Sequence, residues 1–223
     1  IPSWAKDISE QEQQRAVLEL VSRTVTRYKD KQNIIMWQLE NEPLLTFGIC
    51  PEADRAFLTQ EQNLIRSTDT SRPILITDSG ELNSWLDASQ YGDMLGTTMY
   101  RTVFSGRTKK LFHYDYLFPS WAYRLKSRYV GLLRNKSVLI SELQGEPWGS
   151  RPFPEMSPSE RNASFSPERF LQLAKFAKRT QLTPAYWWGV EYWYWEKIRH
   201  NNSAYVDIAK QLFSSEGGDL YGK

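Results

Sequence analysis

Cysteine is almost missing: Cys50 is the only one in 223 residues, so the chain can form no disulfide within itself and offers no cysteine cluster to a metal. Histidine is nearly as scarce. His113 and His200 are too few for most zinc sites, and neither directly follows an expected strand, so the sequence asks for no metal and no cofactor. No run of 18 apolar residues occurs, which leaves no candidate for a membrane-spanning helix. Net charge is also lacking. With 28 Lys plus Arg against 26 Asp plus Glu, the formal +2 provides no strong field for nucleic acid or an anionic membrane. The opening Ile1-Pro2-Ser3-Trp4 has neither a basic start nor an apolar stretch, so it does not read as a signal peptide. Lacking an initiator Met, it reads as processed, cut or incomplete, and no compartment is legible.

What is present is a composition able to bury a core, 40% hydrophobic against 24% charged. Aromatic residues reach 14%, with nine Trp and twelve Tyr, more than a core alone requires. A sugar-binding cleft is one sink for them, because the apolar C–H face of a pyranose packs on a ring; a Trp-rich core or a protein interface is the other.

Five continuous apolar segments read as strands buried on both faces: Asn33 to Leu39, Pro73 to Thr77, Met94 to Tyr100, Ser137 to Ser141 and Ala185 to Val190. Amphipathic stretches alternate with them. Glu10 to Tyr28 and Asp54 to Arg66 carry apolar residues at helical spacing, Pro119 to Leu133 and Pro167 to Arg179 follow, and Ala204 to Phe213 closes the series. The stretch Gly145 to Ser166, with four prolines, reads as a long loop. The alternation predicts an α/β fold with a parallel sheet, and no repeat or linker divides residues 1–223, which form one domain.

Two of the strands end on carboxylates beside amides: Gln38-Leu39-Glu40-Asn41-Glu42-Pro43 and Ser141-Glu142-Leu143-Gln144. Burying such a group without partners costs several kcal/mol, so each placement needs a reason. One reason is a structural ion pair. The other is glycosidic cleavage, which needs one carboxyl to protonate the leaving oxygen and a second to attack or assist at the anomeric carbon. Two such glutamates on two strands favour the second reason. Glu146, followed by Pro147 as Glu42 is by Pro43, rivals Glu142; Glu142 directly follows the apolar run, whereas Glu146 lies beyond Gly145.

Asn41-Glu42-Pro43 at a strand end resembles the Asn-Glu-Pro motif of the clan of barrel glycosidases that includes cellulases, mannanases and β-galactosidases, and the chain resembles its cellulase-like, family 5-like members. The resemblance implies a partial (β/α)8 barrel of strands four to eight. It makes Glu42 the acid/base, Glu142 the nucleophile of a retaining double displacement, and Asn41 a ligand of the substrate's 2-hydroxyl. Tyr100 resembles the tyrosine that donates to the nucleophile, and is alternatively a capping core tyrosine. The aromatic run Tyr186 to Trp195 resembles the clan's strand eight, where Trp188, and next Trp193, would floor the reacting subsite. Glu191 would bind a sugar hydroxyl or simply satisfy an arginine. Thr98 stands where cellulases often have His, a departure from the pattern. Asp78 and Glu81 either line the cleft or belong to the ordinary turn Asp78-Ser79-Gly80.

Strands one to three have no counterpart, so the expected sheet has two exposed edges through which chains can associate, and the chain alone is expected to need its absent half for activity. The partner implied is a carbohydrate. A non-catalytic sugar-binding protein on the same fold is the principal alternative, and a metal-dependent hydrolase the third.

Overall fold

The structure, a computed structural model, describes residues 3–45 and 53–214; Cys50 and Ile1-Pro2 lie outside them. Helix α1 (Glu10–Tyr28) opens on a capping box, in which Ser9 and Glu12 bond each other's backbone N–H. Strand β1 (Trp37–Gln38) follows, then α2 (Arg55–Thr68), whose first N–H groups are capped by the Asp54 carboxylate. Next come β2 (Ile74–Asp78) and β3 (Met94–Met99), each an apolar run with nearly every residue buried. A hairpin of β4 (Thr102–Ser105) and β5 (Lys110–His113) precedes α3 (Ser120–Arg134) and β6 (Ser137–Gln144). The chain ends with α4 (Pro158–Ser164), α5 (Pro167–Thr180), β7 (Ala185–Trp188), α6 (Val190–His200) and α7 (Ala204–Phe213).

The main sheet has the order β1-β2-β3-β6-β7, and every pair in it is parallel. Each strand lies beside its predecessor, which is the order of consecutive strands in a (β/α)8 barrel. The fold is therefore a partial barrel of five strands, as the alternation and the resemblance imply. Helix side chains seal the sheet: Val25, Ile65, Val130, Phe170 and Leu173 join Leu39, Ile74, Ile76, Leu95, Val138 and Ile140 in one core. Each such side chain contributes about 1.5–3 kcal/mol on burial.

Three expectations are corrected. The first strand is two residues long rather than seven, because β1 has only β2 to pair with and β2 begins after Pro73. The preceding residues are held instead by the Arg72 side chain, which donates to Ile34 O at 2.7 Å and Lys31 O at 2.8 Å. The long loop contains α4, whose capping box of Ser157 and Glu160 starts a short helix behind Pro158. The aromatic run also does not continue as a strand. Gly189 at φ +90° ends β7, and Val190 onward is helical, so the run changes from strand to helix in its middle.

Candidate active site

The chain leaves β1 with its backbone still tied to β2: Leu39 N–H donates to Leu75 O at 2.9 Å, and Glu42 N–H to Thr77 Oγ1 at 2.8 Å. Glu42 itself sits at φ +48°, a left-handed conformation uncommon outside glycine. Its carboxylate accepts from Thr98 Oγ1 at 2.8 Å across the top of the sheet. Burial pushes the Glu42 carboxyl up from the ordinary range; the Thr98 hydrogen bond opposes this, and the charges of Glu142 and Asp78 push it further up.

Glu142 lies inside β6, where the register against β3 slips. Thr97 pairs with Ile140 but Thr98 pairs with Glu142, so Ser141 is an extra residue on the β6 side. Such a bulge re-aims the side chains that follow it. Here it sets Glu142 in register with Thr98, the residue bonded to Glu42. Tyr100 OH donates to Glu142 Oε2 at 2.8 Å, and the Trp148 ring meets the Tyr100 ring edge-on at 5.1 Å. Burial raises the Glu142 carboxyl and the Tyr100 bond lowers it. The Tyr100 hydroxyl is pushed far up by burial and then by Glu142, so it remains a donor.

Asn41 is exposed beside Glu42, with its Oδ1 accepting from Gln38 Nε2 at 3.2 Å. Trp188, at the end of β7, is 49% exposed and pairs in register with Gln144. It also hydrogen-bonds Glu146, whose carboxyl is raised by burial and then by the charge of Glu191. Glu146 therefore belongs to a side group with Trp188 and Glu191, packed on Gly189, where an added Cβ would lie 2.5 Å from Glu146 Cβ. Glu191 is exposed in the first turn of α6 rather than on a strand. Trp193 is a correction: it is 3% exposed, donates from Nε1 to Gly145 O at 2.6 Å and packs on Phe170, so it is a core residue turned from any sugar.

Asp78 and Glu81 are buried in turn and scaffold. Asp78 accepts from Ser79 N–H and Asn83, and Glu81 from Tyr123 OH at 2.6 Å and Arg101 Nη1 at 3.3 Å. Burial pushes the Glu81 carboxyl up to about 7 despite those partners. Thr77, Thr98 and Gln144 were not singled out for the site by the sequence: a buried hydroxyl or amide on an apolar strand carries no motif. Among the described residues no group of three His, Cys, Asp or Glu side chains could hold a metal ion. A cavity of about 450 Å³ is lined by Glu40, Asn41, Glu42, Pro43 and Phe57, whereas a larger one of about 660 Å³ lies away from the carboxylates, between β7, α5 and α7.

The family model described as glycosyl hydrolases family 2, TIM barrel domain, matches residues 1–113, just over half of the 223. The chain belongs to that family. The match includes Asn41, Glu42 and Tyr100 and ends before Glu142. The expected likeness to cellulase-like, family 5-like members is corrected: the family matched is family 2, also of glycoside hydrolases with a TIM barrel. Among solved structures, a β-D-glucuronidase from Dictyoglomus thermophilum is similar over 78% of this chain and 28% of its own, at 16% identity and TM-score 0.54. A β-glucuronidase from an uncultured Clostridium sp. is similar over 82% and 31%, at 16% identity and TM-score 0.55. A family 2 β-galacturonidase from Eisenbergiella tayi, bound to galacturonate, is similar over 78% and 29%, at 14% identity and TM-score 0.53. The chain thus spans under a third of the length of these relatives. No curated protein matches it. No helix among the described residues is long and apolar enough to cross a membrane.

Proposed function

We propose that the protein containing this chain is a retaining glycoside hydrolase in which Glu42 is the acid/base and Glu142 the nucleophile. The observation that carries the reading is at Thr98: it donates to Glu42 and stands in register with Glu142, and the charge of Glu142 helps to raise the half-buried Glu42 carboxyl. Burial raises both carboxyls and one hydroxyl opposes it at each, Thr98 at Glu42 and Tyr100 at Glu142; the charges of Glu142 and Asp78 push Glu42 further toward the protonated form an acid needs.

In the first step Glu142 attacks the anomeric carbon as Glu42 gives its proton to the leaving oxygen, forming a glycosyl ester on Glu142. In the second, the Glu42 carboxylate takes a proton from water, the water oxygen attacks the same carbon, and Glu142 departs. Asn41 lies beside Glu42 to bind a sugar hydroxyl, and Trp188 offers an exposed ring to the pyranose face, with Glu191 at its rim. The substrate is an O-glycoside of an oligo- or polysaccharide, in keeping with a glycoside hydrolase barrel. The neighbours named for glucuronides and galacturonate share 14–16% identity, a likeness of fold alone.

The test is to trap the intermediate: the full-length protein, treated with a slow-turnover activated 2-fluoro glycoside and digested, should carry one added glycosyl mass on the peptide containing Glu142. Glu142→Gln should abolish the label and lower kcat by a factor of about 10³ or more. Label on Glu146, or binding of sugar with no turnover by the unaltered protein, would sink the assignment; the second result would indicate a sugar-binding protein without catalysis.

A further inference from the structure

The β3–β6 ladder ends at the pair Met99 and Leu143. Tyr100 is the next residue, so backbone pairing stops just where the chain must present a hydroxyl to Glu142. One side chain takes over from the ladder. Gln144, at the end of β6 and fully buried, accepts from Thr102 N–H through Oε1 at 3.0 Å and donates from Nε2 to Thr102 O at 2.8 Å. A primary amide presents a donor and an acceptor in one plane, so it gives Thr102 what the peptide of a neighbouring strand would have given. The same Nε2 donates to Glu146 O at 3.2 Å, which ties the loop beyond Glu142 to the same point.

The intervening residue is fixed from the other side. Arg101 is fully buried and donates from Nη2 to Tyr114 O at 2.6 Å and Phe118 O at 2.8 Å. Tyr100 is therefore flanked by an ended ladder on one side and the Gln144 clamp on the other. We infer that Gln144 is a positioning residue, clamping Thr102 by both its N–H and its C=O so that Tyr100 stays bonded to Glu142; its bearing on catalysis rests on the reading of Glu142 as nucleophile. Removing the clamp leaves a buried N–H and C=O without partners and frees the segment that carries the tyrosine.

The test compares Tyr100→Phe, Gln144→Met and the double variant in the full-length protein. Two readouts need no turnover: the titration of the Glu142 carboxyl carbon by NMR, and hydrogen exchange at the Thr102 amide. Loss of the tyrosine bond should move the Glu142 titration to higher pH. Gln144→Met should move it the same way, the double variant should move it no further than Tyr100→Phe, and the Thr102 amide should exchange at least tenfold faster. Gln144→Asn, too short to reach both groups of Thr102, should give an intermediate shift if Gln144→Met folds poorly. Variants at Gln144 that lower the melting temperature but leave the Glu142 titration unmoved would overturn the inference, and so would an unmoved titration in Tyr100→Phe. Trapped label on another residue would instead refute the nucleophile assignment while leaving the result on the clamp intact.

Discussion

As the proposed acid/base, Glu42 must hold a proton to act, and its surroundings favour that apart from Thr98: burial first, then the charges of Glu142 and Asp78. The alkaline limb of the kcat/KM profile should therefore report Glu42 and lie above the range of a free carboxyl. Glu42→Gln is expected to flatten that limb. Its rate should fall by about 10²–10⁴-fold on glycosides with a poor leaving group and far less on those whose leaving group needs no proton. A pH profile with a nitrophenyl and an alkyl glycoside checks both statements. At this scale the sequence showed the carboxylates and the tyrosine, because each closes an apolar run, but it could not separate Trp188 from Trp193. Those two are both tryptophans of one aromatic run, and only the turn at Gly189 sends one to the surface and the other into contact with Phe170 and Gly145. Thr98 was legible only as a missing histidine; its pairing with Glu142 depends on a slip in register that no local pattern announces.

Among the elements, α2 carries a liability. Glu61 is fully buried on its inner face, neither carboxylate oxygen has a hydrogen-bond donor, and burial, then the charge of Glu40, pushes its carboxyl up to about 8. In the unfolded chain the ordinary value is 4.5. Between those values the folded form keeps a proton that the unfolded form has lost, so the contribution is fully favourable below 4.5 and is lost as pH rises through about 8. Glu61→Gln should abolish this trend. Thermal unfolding should show the variant gaining on the unaltered protein from pH 5 to pH 9, by about 2–4 °C for each kcal/mol recovered; equal slopes would mean that Glu61 stays ionised. Helices α1, α2, α3, α5 and α7 were readable from apolar spacing and capping residues. The β4–β5 hairpin was not, since Thr102-Val103-Phe104 follows strand β3 after two residues and merges with it in a one-dimensional pattern.

At the scale of the whole chain, the five-stranded sheet among the described residues has two open edges, β1 and β7, each with one neighbour there. Parallel edges expose unpaired N–H and C=O groups that another chain can meet. Sedimentation of the isolated chain should show a weight-average mass that rises with concentration; a constant monomer mass from low to high micromolar would show the edges to be covered. The α/β class with a parallel sheet was legible from the alternation of helices with short, largely apolar strands, and the barrel from the resemblance carried by the strand-end residues. The particular family was not, since three residues at one strand end are common to several barrel glycosidases.

The left-handed backbone at Glu42 sets its stability against its use. At φ +48° any side chain with a Cβ is disfavoured by about 1–2 kcal/mol, and glycine is not. Glu42→Gly should thus melt no lower than Glu42→Ala, although neither retains the carboxyl. A screen that selected this domain for thermal tolerance alone would tend to erase the proposed acid, and directed evolution toward heat resistance should keep a turnover assay in every round.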